Sequence, residues 1–392
     1  MFPLLQDGDT IEYIQLPFHK IKLNDIVLVY SKDILVTHRV IYKTKKTCIT
    51  RGDNNAVADP TIQKGKVLAK MARFRRKGMW YDIQDAYLMQ SSLYLNEIQR
   101  LELALQLKQI PHVFLKGVLV SLRYEHTIPK RIYADCDILI QRIHYQKMAH
   151  VMKALGYTLV EKTLLSKKKE NQEKNPEVSY AKTVNGILIV FDVHFEPVFL
   201  MTQLSGMNLL YPKSKLIELG ELLINRAEQK KLYGFNYSLC SISDQILYLA
   251  LHIFHHNFTD SIRYQLLDAV ARKNMLKETW EELEATIRNF HLEGYTYGVF
   301  LLLKKYFKTP IPPSFLQTIR PDSLKFQVTS YKINHTDIFS QDSRMKAGIE
   351  RFILIFFLSP EPLWKKSFLF IHPEVLYTGF KIALDKLNTI RL

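Results

Sequence analysis

Arg131-Ile-Tyr-Ala-Asp-Cys-Asp-Ile-Leu-Ile-Gln141 is the stretch on which the reading of this chain turns. Ile138, Leu139 and Ile140 form an apolar run of strand type. Strand alternation sends residues i and i+2 to one face, so Asp135 and Asp137 stand side by side. Two carboxylates held this way repel each other unless a cation or a proton lies between them. Cys136, between the two, points to the opposite face and into the core. Upstream, Val113-Phe-Leu-Lys-Gly117 reads as an apolar strand ending in a glycine that opens a helix. Downstream, Ile187-Leu-Ile-Val-Phe-Asp-Val-His194 carries a third acidic residue, Asp192, to the end of another apolar strand. Carboxylates that interrupt buried strands cost stability unless something offsets them, and a divalent metal is the expected offset.

The order of these pieces carries a resemblance. Ile110-Pro-His-Val-Phe-Leu-Lys-Gly117, then Arg131, Asp135-Cys-Asp137 and Lys153-Ala-Leu-Gly-Tyr157 resemble the nucleotidyltransferase-like family of the DNA polymerase β superfold. Phe191-Asp-Val-His194 fits that family's third acidic position, and Leu249-Ala-Leu-His252 and Leu267-Asp268-Ala fit its helical continuation. The likeness covers about residues 80 to 380. It implies Mg²⁺ (or Mn²⁺) held by Asp135, Asp137 and Asp192, with an NTP as substrate. Asp192 would complete a second metal site or deprotonate the attacking hydroxyl. Lys116, Gly117, Arg131 and His252 would border the nucleotide. One departure stands at Gly117-Val118, where the wider superfold prefers Gly-Ser or Gly-Gly. Without that serine the nucleotide grip falls to backbone amides and Lys116.

Residues 1–76 read differently, as short strands at Thr10–Gln15, Ile26–Ser31, Ile34–Thr44, Lys46–Arg51 and Gly65–Phe74. Gly8-Asp9, Asn24-Asp25, Lys32-Asp33 and Gly52-Asp-Asn-Asn55 punctuate them. The wording Met1-Phe-Pro-Leu-Leu-Gln-Asp-Gly-Asp9, Asn24-Asp-Ile-Val27, Thr37-His-Arg-Val40 and Arg51-Gly-Asp-Asn-Asn55 with Asp59 resembles the signal-peptidase and LexA-like serine peptidase fold. The resemblance makes His38 a general base oriented by Asp59 or Asp53. It also places the nucleophilic serine before Met1, so the unit as written is expected to be without peptidase activity.

The expected fold class is α+β, divided as 1–76 (peptidase-like β unit), 77–235 (transferase α/β unit with a mixed sheet) and 236–392 (helical region). A length of 392 residues suits two or three cores, and an apolar content of 47% argues against disorder. The formal charge of +16 favours phosphate-bearing partners, nucleic acid among them, although no nucleic-acid module is evident. Arg73-Phe-Arg-Arg-Lys77 reads as a hinge that trypsin would cut, and Lys167–Glu177 as a charged loop. Ser243 is placed as the cap of a helix running to His256. His252 and His256 share a face at metal-compatible spacing without an evident third ligand. Phe352–Leu358 is too short to span a bilayer. Three cysteines without metal spacing, and no leader ahead of the first strand, lead to the expectation of a cytoplasmic, bacterial-type protein.

The reaction expected is transfer of a nucleoside monophosphate to the hydroxyl of an unspecified protein, peptide, sugar or metabolite. The alternatives are a binding or assembly protein made of two degenerate enzyme units, and a processing peptidase should an upstream serine be restored. Removing Asp135 and Asp137 together is expected to leave the fold intact or slightly stabilised, because their repulsion goes too.

Overall fold

The computed structural model describes residues 4–31, 34–53, 55–125, 132–160, 175–197, 200, 205–273, 276–340 and 344–373. The N-terminal strands are β1 (Thr10–Ile14), β2 (Ile26–Ser31), β3 (Ile34–Lys43), β4 (Thr47–Arg51), β5 (Ile62–Gln63), β6 (Val67–Arg76) and β7 (Met79–Asp82). They form one antiparallel sheet of order β1-β6-β2-β3-β4-β5, with β7 paired to β6. Ile21, Val27, Val29, Val40, Cys48 and Ile62 fill its small core.

The basic run Arg73–Lys77 is no hinge. Arg73 to Arg76 pair with β7 across a hairpin turned at Lys77-Gly78, both at positive φ. Charge and glycine mark linkers and turns alike, and here the pairing of β6 with β7 makes the run a turn.

The second sheet follows a long helix. Its elements are α1 (Ile83–Leu107), β8 (His112–Lys116), α2 (Val118–Tyr124), β9 (Cys136–Ile140), α3 (Tyr145–Ala154), β10 (Thr158–Val160), β11 (Glu177–Val184), β12 (Ile187–His194), α4 (Lys213–Asn225), β13 (Glu228–Leu232) and β14 (Phe235–Leu239). The order is β10-β11-β12-β9-β8-β14-β13, with β12/β9 and β8/β14 parallel and the other pairs antiparallel.

Every residue of β9 is buried because both faces of the sheet are covered. Phe114, Cys136, Ile138 and Ile140 meet Tyr94, Ile98, Leu101 and Leu105 of α1 and Met148, Val151 and Met152 of α3. Val113, Leu115 and Leu139 meet Leu223 and Ile224 of α4 on the other side. The α1 positions recur at four, three and four residues, one helical stripe, and their burial contributes on the order of 8 kcal/mol before entropy is counted.

The Gly156-Tyr157 pair has a structural explanation. Gly156 takes φ +83, and the amides of Gly156 and Tyr157 bond to Lys153 and Met152, closing α3 in a Schellman turn. The Tyr157 hydroxyl then donates to Glu97 of α1 at 2.8 Å.

The rest of the described chain is helical: α5 (Ile242–His255), α6 (Ser261–Lys273), α7 (Lys277–Asn289), α8 (Glu293–Leu302), α9 (Pro313–Thr318), α10 (Ser323–Asn334) and α11 (Arg344–Leu358), with a short α12 (Leu363–Ser367). The cap of α5 is Ser241, whose Oγ accepts from the Asp244 amide, and Ser243 lies inside the helix donating to Glu282. Among the described residues no helix is long and apolar enough to cross a membrane.

The β sheet docks on these helices. Arg51 of β4 donates to Asp260 at 3.0 Å and to the Phe339 carbonyl at 2.9 Å. Gln265 donates to the Ile41 carbonyl, Asn24 donates to Gln265, and the Tyr42 ring lies 5.0 Å from that of Phe339. A groove of about 800 Å³ runs along this seam, lined in part by Lys22, Lys43, Gln265 and Asp268. Asp268 is held there by Arg272 and Thr309.

Candidate metal centre

Parallel pairing of β12 with β9 sets Asp192 opposite Asp137, and alternation puts both on the α4/α5 side of the sheet. Asp135, just before β9, shares that side. The three residues offer carboxylate oxygens that lie within 4.8 Å of one another. Asp137 is buried, whereas Asp135 and Asp192 are half-buried.

Helix α1 fixes the approach to β9. Gln90 donates to the Tyr133 carbonyl and accepts from the Tyr133 amide. The Tyr94 hydroxyl donates to the Ala134 carbonyl at 2.8 Å and accepts from the Val190 amide at 3.1 Å. One tyrosine thus ties the segment before Asp135 to the strand that carries Asp192.

Around the carboxylates the partners are few and specific. Lys116 Nζ lies 3.2 Å from Asp135 Oδ2 and 3.3 Å from Asp137 Oδ2. The Tyr248 hydroxyl of α5 donates to Asp137 Oδ2 at 3.2 Å. His194 Nε2 stands 3.6 Å from Asp137 Oδ1, an electrostatic contact longer than a hydrogen bond, and its Nδ1 is 3.4 Å from Glu177 Oε2. Ser179 donates to Asp192 Oδ1.

Burial alone would push the Asp137 carboxyl up, but the Lys116 ammonium and the His194 imidazole outweigh it and hold it well below the usual carboxylate range. Burial pulls Lys116 down, and Asp137 and Asp135 more than reverse that. His194 is likewise lifted by Asp137 and Glu177 against its burial. Tyr248, raised by burial and by Asp137, stays a protonated donor.

A hard divalent cation takes carboxylate oxygens, and this donor set is of that kind. Asp137 Oδ1 supplies a further test of fit: it is buried and accepts no hydrogen bond among the described residues. A buried carboxylate oxygen with acceptor capacity to spare, on a residue of a three-carboxylate cluster, fits a hard cation. His252 and His256 join no such group; the one metal-compatible cluster among the described residues is Asp135, Asp137 and Asp192.

Gly117 opens α2 at φ +110, where L side chains are strained. A Cβ there would also come within 3.1 Å of the Asp135 carbonyl and 3.2 Å of Cys136 Cα. The glycine therefore lets β8 and α2 close onto the backbone that bears the acidic pair. Cys136 itself is fully buried on the α1/α3 face.

His252 stacks on Tyr248 with ring centroids 6.0 Å apart and accepts from Arg263 Nε at 3.4 Å. Burial, with the nearby charges of Lys116, His256 and Arg263, keeps its imidazole well below its ordinary value. Arg131 and the charged run 167–174 lie outside the described residues.

In the β unit, His38 Nδ1 is 2.6 Å from Asp59 Oδ2, which also accepts from Thr50. Asp53 goes instead to Arg39, which it binds through both oxygens at 2.8 Å. Of the two candidate partners for His38, the fold delivers Asp59.

Tyr248, His194, Ser179 and Arg263 were not assigned roles from the sequence. Two of them carried a signal. His194 lies two residues after Asp192, hence on its face, and Tyr248 lies four before His252, hence on the same side of the helix. Ser179 and Arg263 depend on strand pairing and helix docking, which no local pattern encodes. A family model described as "Uncharacterised nucleotidyltransferase" matches residues 62–308. No curated protein matches the chain.

Proposed function

Because the chain belongs to the uncharacterised nucleotidyltransferase family, we propose that it is a metal-dependent transferase moving a nucleoside monophosphate from an NTP to a hydroxyl acceptor. The observation that carries this reading is the meeting of three carboxylates from two strands beside an orphaned carboxylate oxygen. Asp135, Asp137 and Asp192 would hold Mg²⁺ (or Mn²⁺), which supplies Lewis-acid charge toward the phosphates. Asp192, held by Ser179, takes the proton of the acceptor hydroxyl. The hydroxyl oxygen forms a bond to the α-phosphorus while the α–β bridging P–O bond breaks, and pyrophosphate leaves with that electron pair. Lys116 neutralises charge between the acidic pair and the phosphates. Tyr248 and His194 keep the Asp137 carboxylate ionised and fixed in place. His252 borders the nucleotide and Gly117 keeps the backbone close, and Arg131 is assigned to the phosphates by resemblance alone.

For the β unit we propose descent from the signal-peptidase and LexA-like fold, supported by the His38–Asp59 pair in the geometry of an oriented base. The division at 76/77 and 235/236 is likewise a proposal, and the matched segment straddles both boundaries. We propose as well a cytoplasmic location and a bacterial source. The test is titration of the full chain with each of four NTPs, with and without Mg²⁺, followed by assay of pyrophosphate release. Saturable, metal-dependent binding supports the transferase. Its absence with every divalent ion favours a binding or assembly role.

A further inference from the structure

The helical layer places an unusual concentration of guanidinium and imidazole next to the acidic centre. Tyr248 links the two: its hydroxyl reaches Asp137, and its ring stacks on His252. From His252 the contacts run on to His256, with ring centroids 4.7 Å apart, and to Arg263 at 3.4 Å. His256 packs against His255 at 5.3 Å, and His255 Nε2 lies 3.2 Å from Arg351.

Counter-charge is short here. Asp260 is shared, accepting from Arg263 at 2.5 Å and from Arg51 of β4 at 3.0 Å. Arg351 meets no carboxylate among the described residues, and its buried Nε has no hydrogen-bond partner. Two guanidiniums thus share Asp260, and the third, Arg351, is met by an imidazole. Arg263 keeps a quarter of its side chain exposed, and His252, His256 and Arg351 are only half-buried, so the row opens to solvent. The carboxylate that holds it is set in strained backbone: Asn257, Phe258 and Asp260 all take positive φ, Asp260 at +74.

We propose that Arg263 and Arg351, with His252 and His256, form an oligophosphate-binding wall beside the carboxylate centre, and that Arg51 of the β unit positions Arg263 through Asp260. The wall deepens the transferase reading and rests on it for the identity of the ligand, the phosphate tail of a nucleotide. An ion with several charged oxygens satisfies two guanidiniums at once, and neutral imidazoles serve it as donors. Arg351 lies beyond the segment shared with the family, so this half of the wall comes from the chain's own C-terminal helices.

The experiment uses the full-length protein and inorganic tripolyphosphate, without metal, followed by calorimetry. Binding should fall roughly tenfold or more in Arg263→Gln and in Arg351→Gln, and a few-fold in Arg51→Gln. Arg351→Lys should restore part of it, which guards against loss through misfolding. Asp135→Asn should leave it unchanged or tighter, because a nearby negative charge is gone. Failure of the wild type to bind tripolyphosphate, or binding indifferent to Arg263 and Arg351, overturns the wall. So does a single-stranded oligonucleotide that depends on these arginines while tripolyphosphate does not. Arginine-dependent tripolyphosphate binding without any Mg²⁺-dependent NTP binding sinks the transferase reading and leaves the wall standing; the reverse pattern does the opposite.

Discussion

The two sheets handle buried charge in opposite ways. In the N-terminal sheet charge is matched: Arg39 is clasped by Asp53 and also donates to the Asn24 carbonyl and the Tyr87 hydroxyl, while His38 meets Asp59. In the second sheet three carboxylates meet, two of them share one lysine, and Asp137 Oδ1 accepts no hydrogen bond among the described residues. Matched pairs hold an architecture together. An acidic cluster with more carboxylates than cations inside a packed sheet leaves room for a further cation.

Equivalent substitutions should therefore have opposite consequences. Asp137→Asn should weaken Mg²⁺–nucleotide binding by at least ~10²-fold, measured by calorimetry, with a modest change in stability because Lys116 keeps Asp135. Equal nucleotide affinity in this variant would remove the contrast. Asp53→Asn should do the reverse, costing about 3 kcal/mol in denaturant unfolding by stranding the buried Arg39, with nucleotide affinity unchanged. Taking away both Asp135 and Asp137 now carries a different sign from the sequence expectation. It leaves the Lys116 ammonium without its partners, so a loss of roughly 2 kcal/mol replaces the slight gain.

A subtler contrast lies in pH. Asp244, in the first turn of α5, is lifted by burial to about 6, with Arg226 opposing and Glu282 reinforcing the rise. A folded-state value above the unfolded one means stability is fully present below about 4 and is lost as pH climbs through 6. Asp244→Asn should flatten that slope and raise stability near neutrality by on the order of 2 kcal/mol, read from unfolding midpoints between pH 4 and 7. An unchanged slope would assign the titration elsewhere.

The smallest expected effect is none. Trypsin should not release the β unit at Arg76 or Lys77, because that run is a paired hairpin and Arg51 locks its sheet to Asp260. A stable fragment starting at residue 77 or 78 would show that the two regions are separable after all.

Much of this was legible in the linear chain, for local reasons. Apolar runs bounded by turn residues placed β2 and β9. Period-two alternation alone put Asp135 and Asp137 on one face and Cys136 on the other. The α+β class and the acidic cluster followed from the order of such pieces. What the sequence could not supply was the partner across space. Sheet order decided that Asp192 stands opposite Asp137, helix docking brought Tyr248 and Arg263 to the site, and loop path gave Asp59 rather than Asp53 to His38. The basic hairpin was misread for the same reason: strand pairing, not composition, separates a linker from a turn. Side-chain direction follows from neighbouring residues, whereas charge pairing depends on contacts between residues up to 209 positions apart, as between Arg51 and Asp260, and those exist only once the chain has packed.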